Sequence, residues 1–340
     1  MQEESSPDPN TVAEAKAGRL WERADLRLLR RVLFGAFLIF LLLGLALLPH
    51  LASDYIIALV FLIFFWMAAA QSWNLFSGYT GYVNFGYVGF LGIGAYTMAI
   101  LISKFGVHWL LAIIASGVVT AAFAALIGIP FLRVRGAYFA IAMLGLAEGL
   151  RVLISTDYLR PLTEGGLGIA LISGMTFHMK YYAMGLVAGL TVLVTYLVAN
   201  SRFGLQLLTI REDELASSVM GINTTAKKLT AFTISAFLSG LAGGVYAAYA
   251  NYIAPSTMFV PAYYTLIPMV IATFGGLGTV LGPVVGAVLF TIISEIVWSK
   301  FLFFHLLIFG VVLILIILFM PQGIIPYLQD KRILPRARWL

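Results

Sequence analysis

Two carboxylates fall inside long apolar stretches of this chain: Glu148, in AEGLRV, and Glu295, in ISEIVW. Ionisable residues in such runs mark ion or substrate paths, proton relays or internally neutralised pairs. Glu148 stands three residues before Arg151, a spacing that puts both on one face of a helix, so mutual neutralisation is the plain reading. Little else could do chemistry. His50, His108, His178 and His305 are scattered, with no pair at ligand spacing. No arrangement suggests a Ser/His/Asp set, and nothing matches the GxxxxGK[ST] phosphate loop. There are no cysteines, which excludes disulfides, thiolate metal sites and a cysteine nucleophile. The expectation is no catalytic residue, no metal site and no ATP hydrolysis by the phosphate-loop route.

The rest of the chain explains why. Its 340 residues are 61% hydrophobic and 11% charged, with a mean hydropathy of +0.98. Soluble domains carry roughly 25% charged residues. Apolar runs recur from Val32 to Met320, several near the ~20 residues that cross a bilayer. A β-barrel would show alternating strands of about ten residues instead. The expected class is an all-α polytopic membrane protein. The net charge of +6 then reads as basic residues holding cytoplasmic loops in place rather than as a nucleic-acid surface. The first apolar run is too long for a signal-peptide core and follows a polar arm, so no cleavable signal is expected.

Spans are expected near 33–49, 55–73, 83–103, 108–131, 137–155, 181–199, 229–249, 263–277, 282–298 and 302–320. Residues 1–32 form a cytoplasmic arm, 33–320 the membrane domain with a cytoplasmic loop at 200–228, and 321–340 a basic cytoplasmic tail. The stretch 263–298 is counted as two crossings because charge favours it. Of 21 Lys and Arg, only Lys104, Arg151, Arg160, Lys180 and Lys300 then lie outside, and both termini are cytoplasmic. Ten spans divide into two inverted halves of five.

Glycine is concentrated at corresponding places. Phe76–Tyr96 reads FSGYTGYVNFGYVGFLGIGAY, with six glycines, although glycine inside a helix costs about 1 kcal/mol relative to alanine. Gly275–Pro283 reads GGLGTVLGP at the third span of the second half. Interrupted helices at matching positions of inverted halves point to a transport site. The expected substrate path therefore takes in Gly78, Gly81, Tyr82, Asn84, Gly86, Tyr87, Gly275, Gly276 and Gly278. Close helix packing is the competing explanation, and it is the main one for the pairs Gly185/Gly189, Gly240/Gly244 and Gly282/Gly286.

The 200–228 loop carries a further pattern. Thr209-Ile-Arg-Glu212 fits a capping box and Gly221 a helix stop. Glu212, Asp213 and Glu214 sit where a helix dipole favours acids. A short amphipathic helix over 210–220 is expected, able to pass motion to a cytoplasmic motor. The alternative is a solvated connector.

The blocks GYTGYVNFGYVGFLGIGAYT (78–97), LRVRGAYFAIAMLGLAEGLRVL (132–153), IREDELASSVMGINTTAKKLTAFTISAFLSGLAGGVYA (210–247), GGLGTVLGPVVGA (275–287) and PQGI (321–324) together resemble the LivM-type permease subunit of branched-chain amino acid ABC importers. The likeness covers about Trp73 to Pro326. It implies a second, homologous LivH-type permease, two cytoplasmic ATPase subunits that carry ATP and Mg, an extracytoplasmic binding protein, and location in the cell (inner) membrane. This chain would bind no cofactor. ATPase coupling would fall to Thr209, Arg211, Glu212, Asp213, Glu214, Ala216 and Gly221. The family's Glu-Ala-Ala-x-x-x-Gly motif is degenerate here, with Leu215, Ala216, Ser217 and Gly221 in its places. After Gly81 the family usually has Gln, Ser and His where Tyr82, Asn84 and Tyr87 stand. That departure leaves urea, short amides or small organic acids open as substrates. A stand-alone secondary transporter is a more distant alternative, disfavoured by the few intramembrane acids and the long loop; a channel is third, with no carbonyl-filter signature or ring of like charges in the sequence.

Overall fold

The computed structural model describes residues 44–300 and 323–331. Contacts divide the chain into two units, Met1–Asp54 and Tyr55–Leu340. The described part of the first is a helix over 44–51. In the second, the main helices are α1 (Asp54–Thr80, starting one residue earlier), α2 (Tyr87–Ser103), α3 (Trp109–Phe131), α4 (Ala137–Ser155), α5 (Phe177–Ala199), α6 (Arg202–Glu212), α7 (Glu214–Val219), α8 (Thr224–Ala250), α9 (Leu266–Gly275), α10 (Leu281–Lys300) and α11 (Ile324–Asp330). Among the described residues, six segments are long and apolar enough to cross a membrane: α1, α3, α4, α5, α8 and Pro255–Gly275, which ends with α9. The shorter α2 and Leu281–Val297 of α10 are apolar as well. The chain is an all-α polytopic membrane protein. Eight expected spans fall on these helices; residues 33–43 of the first span and all of 302–320 lie outside the described residues.

Helix α8 runs through the middle, packed on α2, α3 and α5. Lipid gives helices no hydrophobic reason to associate, so close backbone approach and hydrogen bonds must do it. Gly240 shows how: a Cβ there would lie 2.5 Å from the Ser116 carbonyl oxygen of α3. Gly94 of α2 meets the Gly240 backbone from the other side. Hydroxyls in this core bond within their own helices, Ser116 Oγ to the Ala112 carbonyl at 2.8 Å and Thr120 Oγ1 to that of Ser116 at 2.7 Å. No polar hydrogen of theirs is then left facing hydrocarbon. Aromatic rings fill the α1–α8 contact, with Phe61 stacked on Tyr249 at 4.1 Å and Phe65 on Tyr246 at 4.4 Å.

The packing reading of the glycine pairs holds for Gly240/Gly244 and Gly282/Gly286, each pressed against a neighbouring helix. It holds only in part for Gly185/Gly189: Gly185 meets the Phe64 ring and Gly189 meets open space.

At one end of the bundle, Ile169–Ala170 (β1) pairs antiparallel with Tyr252–Ile253 (β2), Ile169 opposite Ile253. Lys180 Nζ donates to Asn251 Oδ1 at 2.8 Å beside it, and Lys104 pairs with Glu164. The other end carries α6, α7 and two breaks. The first is residues 81–86, between α1 and α2. The expected span at 83–103 thus begins four residues late, because Trp73 Nε1 donates to the Asn84 carbonyl at 3.0 Å and holds that backbone out of helix. The second is 276–280, where α9 turns back into α10: Gly275 lies against Gly282 and Ile271 against Gly286, an antiparallel register.

Candidate functional site

Asn74, in α1, ties that helix to the second break. Its Nδ2 donates to the Thr279 carbonyl at 2.8 Å, and its Oδ1 accepts from the Gly278 amide at 2.9 Å. One side-chain amide thereby satisfies a donor and an acceptor of the hairpin backbone. The approach requires glycine at 78, where a Cβ would fall 2.9 Å from the Gly278 nitrogen. Arg211, at the end of α6, donates from Nη1 to the Gly78 carbonyl at 2.8 Å. Gly81 also packs under the Arg211 side chain. Gly78, Gly81 and Gly278, expected on the path, and Arg211, expected in coupling, are far apart in the sequence and form one cluster.

A second cluster centres on Glu214, the first residue of α7. Its Oε1 accepts from Lys228 Nζ at 2.8 Å, its Oε2 accepts from the Tyr82 hydroxyl, and Arg135 lies 3.7 Å away. Lys228 is only 1% exposed. It also donates to Tyr82 Oη at 3.0 Å and to the Leu132 carbonyl at 3.3 Å, and sits 4.3 Å from the centre of the Tyr82 ring. Burial pushes the Glu214 carboxyl up, but the hydrogen bonds from Lys228 and Tyr82 and the charges of Lys228 and Arg135 outweigh it and hold it below the usual value. Four elements meet here: the 81–86 break, the α3–α4 turn, α7 and the first turns of α8.

Between the clusters opens a cavity of about 710 Å³. Thr80, Gly81, Tyr82 and Phe85 form one wall, Arg135 and the first turns of α4 another, and Ile210, Arg211 and Glu214 the third. Its polar side chains are Thr80, Tyr82, Arg135, Arg211 and Glu214, and the rest of the lining is apolar or glycine.

The 200–228 loop departs from its expected form. It holds two helices, not one over 210–220. Ser201 caps α6, accepting from the Gly204 amide at 3.1 Å. Thr209 lies inside α6, bonded to the Gln206 carbonyl, and caps nothing. Asp213 breaks the helix, and its Oδ1 accepts from the Leu215 and Ala216 amides at 2.8 and 3.0 Å. A short carboxylate two and three residues ahead of those amides is the stronger cap, its charge also favoured by the helix dipole. Glu212 ends α6, Ala216 is exposed on α7, and Gly221 turns the chain toward α8. Val219 and Met220 are 86% and 83% exposed.

Asn84, Gly86 and Tyr87 stand apart from both clusters. Asn84 and Tyr87 share no helix face, because α2 begins at Tyr87. Asn84 Oδ1 accepts from the Gly86 amide at 3.0 Å, Gly86 abuts the Met143 backbone, and the Tyr87 hydroxyl meets Ser72 Oγ at 2.7 Å. Gly275 and Gly276 sit at the start of the hairpin, Gly276 against Pro326 of α11. Arg151 Nε lies 2.9 Å from both carboxylate oxygens of Glu148, the pair expected from spacing. Glu295 accepts from the Tyr55 hydroxyl at 2.6 Å.

Sequence reasoning missed Asn74, Arg135 and Lys228 as site residues. Asn74 could have been found as an amide in an otherwise apolar helix. Lys228 was counted only for its charge.

The family model described as branched-chain amino acid transport system, permease component, matches residues 55–319. The chain belongs to that family. Its relatives include the high-affinity branched-chain amino acid transport system permease protein LivM of Salmonella typhimurium, 31% identical over 290 residues, covering 76% of this chain and 67% of the relative. The protein of the same name from Escherichia coli is 29% identical over 315 residues, covering 83% and 73%. The guanosine ABC transporter permease protein NupQ of Bacillus subtilis is 30% identical over 195 residues, covering 51% and 61%. No solved structure matches this chain.

Proposed function

We propose that this chain is the LivM-type permease subunit of an ABC importer for branched-chain amino acids. It would work beside a LivH-type permease, two cytoplasmic ATPases that bind ATP and Mg, and an extracytoplasmic binding protein, in an inner membrane with both termini cytoplasmic. The observation that carries the reading is the double attachment of the 202–221 segment. Arg211 ties it to both glycine breaks through Gly78, and Glu214 ties it to Tyr82 and the buried Lys228. A partner that displaces α7 must therefore move the ends of α1, α2 and α8. A ligand-driven change needs such differential contact between two states. The apolar tip at Val219 and Met220 offers that partner a surface.

Ten spans in two inverted halves belong to the same proposal. An interrupted stretch precedes the third span of each half, the non-helical 81–86 before α2 and, before α9, residues 251–265, where the short helices Pro255–Met258 and Pro261–Tyr264 are separated by breaks. The start of α2 meets the residue before α9, the Val88 amide donating to Thr265 Oγ1 at 3.0 Å. The backward turn at 276–280 supports two crossings for 263–298 and a cytoplasmic tail. The named guanosine permease among the relatives keeps nucleosides as a second substrate class, beside urea, short amides and organic acids. Uptake by proteoliposomes holding the whole importer decides among them: leucine, isoleucine and valine are expected to accumulate with ATP inside. Accumulation of guanosine or urea instead would reassign the substrate.

A further inference from the structure

We infer that Glu148 and Arg151 are the site on the transport path that receives the charged head of a zwitterionic amino acid, Glu148 taking the ammonium and Arg151 the carboxylate. The inference rests on the permease reading above. Both residues lie within α4, Glu148 about 16 Å along the helix from Ala137 at ~1.5 Å per residue, roughly midway through a ~30 Å hydrocarbon core. Their side chains are 51% and 37% exposed. Charges at that depth do not face lipid; they face protein or a water-filled path. A buried pair sealed inside the bundle would need no such opening.

The face of α4 beside the pair is open in this chain. Gly145 and Gly149 are exposed on the same stretch of α4, and a Cβ built on either meets no atom within 4 Å. Ile141 and Leu144, also exposed, lie one to two turns nearer the α4 start and line the 710 Å³ cavity beside Arg135 and Arg211. Side chains at three- and four-residue intervals share a helix face. An exposed surface thus runs from the ion pair to that cavity, apolar between two charged ends.

The chemistry selects the ligand class. A carboxylate and a guanidinium already paired to each other present no net charge. A zwitterion can insert between them, exchanging one ion pair for two, and the site stays neutral. The planar guanidinium fork matches a carboxylate in two-point geometry. A bare cation or anion would satisfy one partner and leave the other unpaired in a low-dielectric setting, which is disfavoured. The open space over Gly145 and Gly149, flanked by Val152, takes the aliphatic side chain.

The test uses the assembled detergent-solubilised importer without its binding protein, and tritiated leucine as probe. Saturable binding is expected. It should be competed by unlabelled leucine but not by 4-methylpentanoate, which lacks the ammonium, nor by 3-methylbutylamine, which lacks the carboxylate. Equal competition by either analogue overturns two-ion recognition, whatever the variants do. The double variant Glu148→Gln/Arg151→Gln, which leaves no lone charge, should co-elute with its partner subunits and bind leucine at least tenfold more weakly. Wild-type affinity in that variant overturns the site. A wild-type complex that imports leucine yet shows no such binding overturns it too. A complex that imports no leucine but accumulates another solute refutes the substrate reading instead.

Discussion

Glu214 and Lys228 face each other across 2.8 Å, on separate helices, with the lysine almost wholly removed from solvent. The lysine belongs to the first turns of α8, the helix that runs through the middle of the bundle. The glutamate begins α7, which has few other attachments. Each charge is hydrogen-bonded further, the ammonium to Tyr82 and Leu132 and the carboxylate to Tyr82. A buried pair of this kind is costly to break from one side, since the survivor keeps its desolvation without its partner.

Removing the carboxylate alone should therefore be worse than removing both charges. Glu214→Gln is expected to lower stability by about 3–5 kcal/mol, the range for a buried pair broken on one side. The double variant Glu214→Gln/Lys228→Met should recover at least half of that. Thermal unfolding in detergent, followed by retention of monodisperse protein, measures both. Equal losses in the single and double variants would mean the pair contributes only packing.

The same carboxylate sets a pH dependence. Its folded value lies below the ordinary 4.5, so the unfolded chain binds the proton more readily. Stability from this group is then fully present above the unfolded value and is lost as pH falls through the folded one. A melting temperature that is flat from pH 7 to about 5 and declines below about 4.5 is expected of the wild type. The decline should be shallower in Glu214→Gln. Parallel pH curves would assign acid sensitivity to other carboxylates.

Asn74 is the next point of leverage. Asn74→Leu keeps the volume but leaves the Gly278 amide and the Thr279 carbonyl without their partner, at about 1–3 kcal/mol for each buried group left unsatisfied. Because the clamp joins α1 to the α9–α10 hairpin, the loss should be local. Faster hydrogen exchange at residues 276–280, with little change in α3 or α5, is the expected pattern. Uniform acceleration along the chain would indicate general unfolding.

Much of this fold could be read from hydrophobicity, because eight described helical segments each bury or span as a run of apolar residues. The intramembrane pair Glu148/Arg151 was equally legible, since its spacing is local. The clusters were not. Asn74 and Thr279 are 205 positions apart, and Tyr82 and Lys228 are 146 apart; nothing in either neighbourhood names the other. The Thr209 cap failed for a different reason. A capping box is a local pattern, and Asp213 offered a second local pattern four residues on. The winner was decided by Ser201, which had already started a helix through Thr209. Asn84 falls inside the expected span 83–103 because the bond from Trp73, eleven residues before it, that holds its backbone out of helix leaves no mark in the sequence.

The two caps give opposite forecasts for α7. α7 has six residues, far too few to be stable alone. It depends on Asp213, whose carboxylate meets two amides at its start, and on Glu214 at its side. Asp213→Ala should therefore release α7 at about 1 kcal/mol or somewhat more, and reduce uptake by the reconstituted importer severalfold. Asp213→Asn retains a capping oxygen and should keep most activity. Thr209→Ala, at an exposed interior position of α6, should be nearly neutral. Ala216 lies exposed one turn further along, where a partner docking on Val219 and Met220 would approach closely. Ala216→Trp places an indole on that approach without touching the Glu214–Lys228 pair. It should insert in the membrane and melt like the wild type, yet lose both uptake and the ATPase stimulation produced by loaded binding protein. Normal stimulated ATPase activity and normal uptake in Ala216→Trp would make α7 a solvated connector, and the route from partner to glycine breaks would have to run through some other surface.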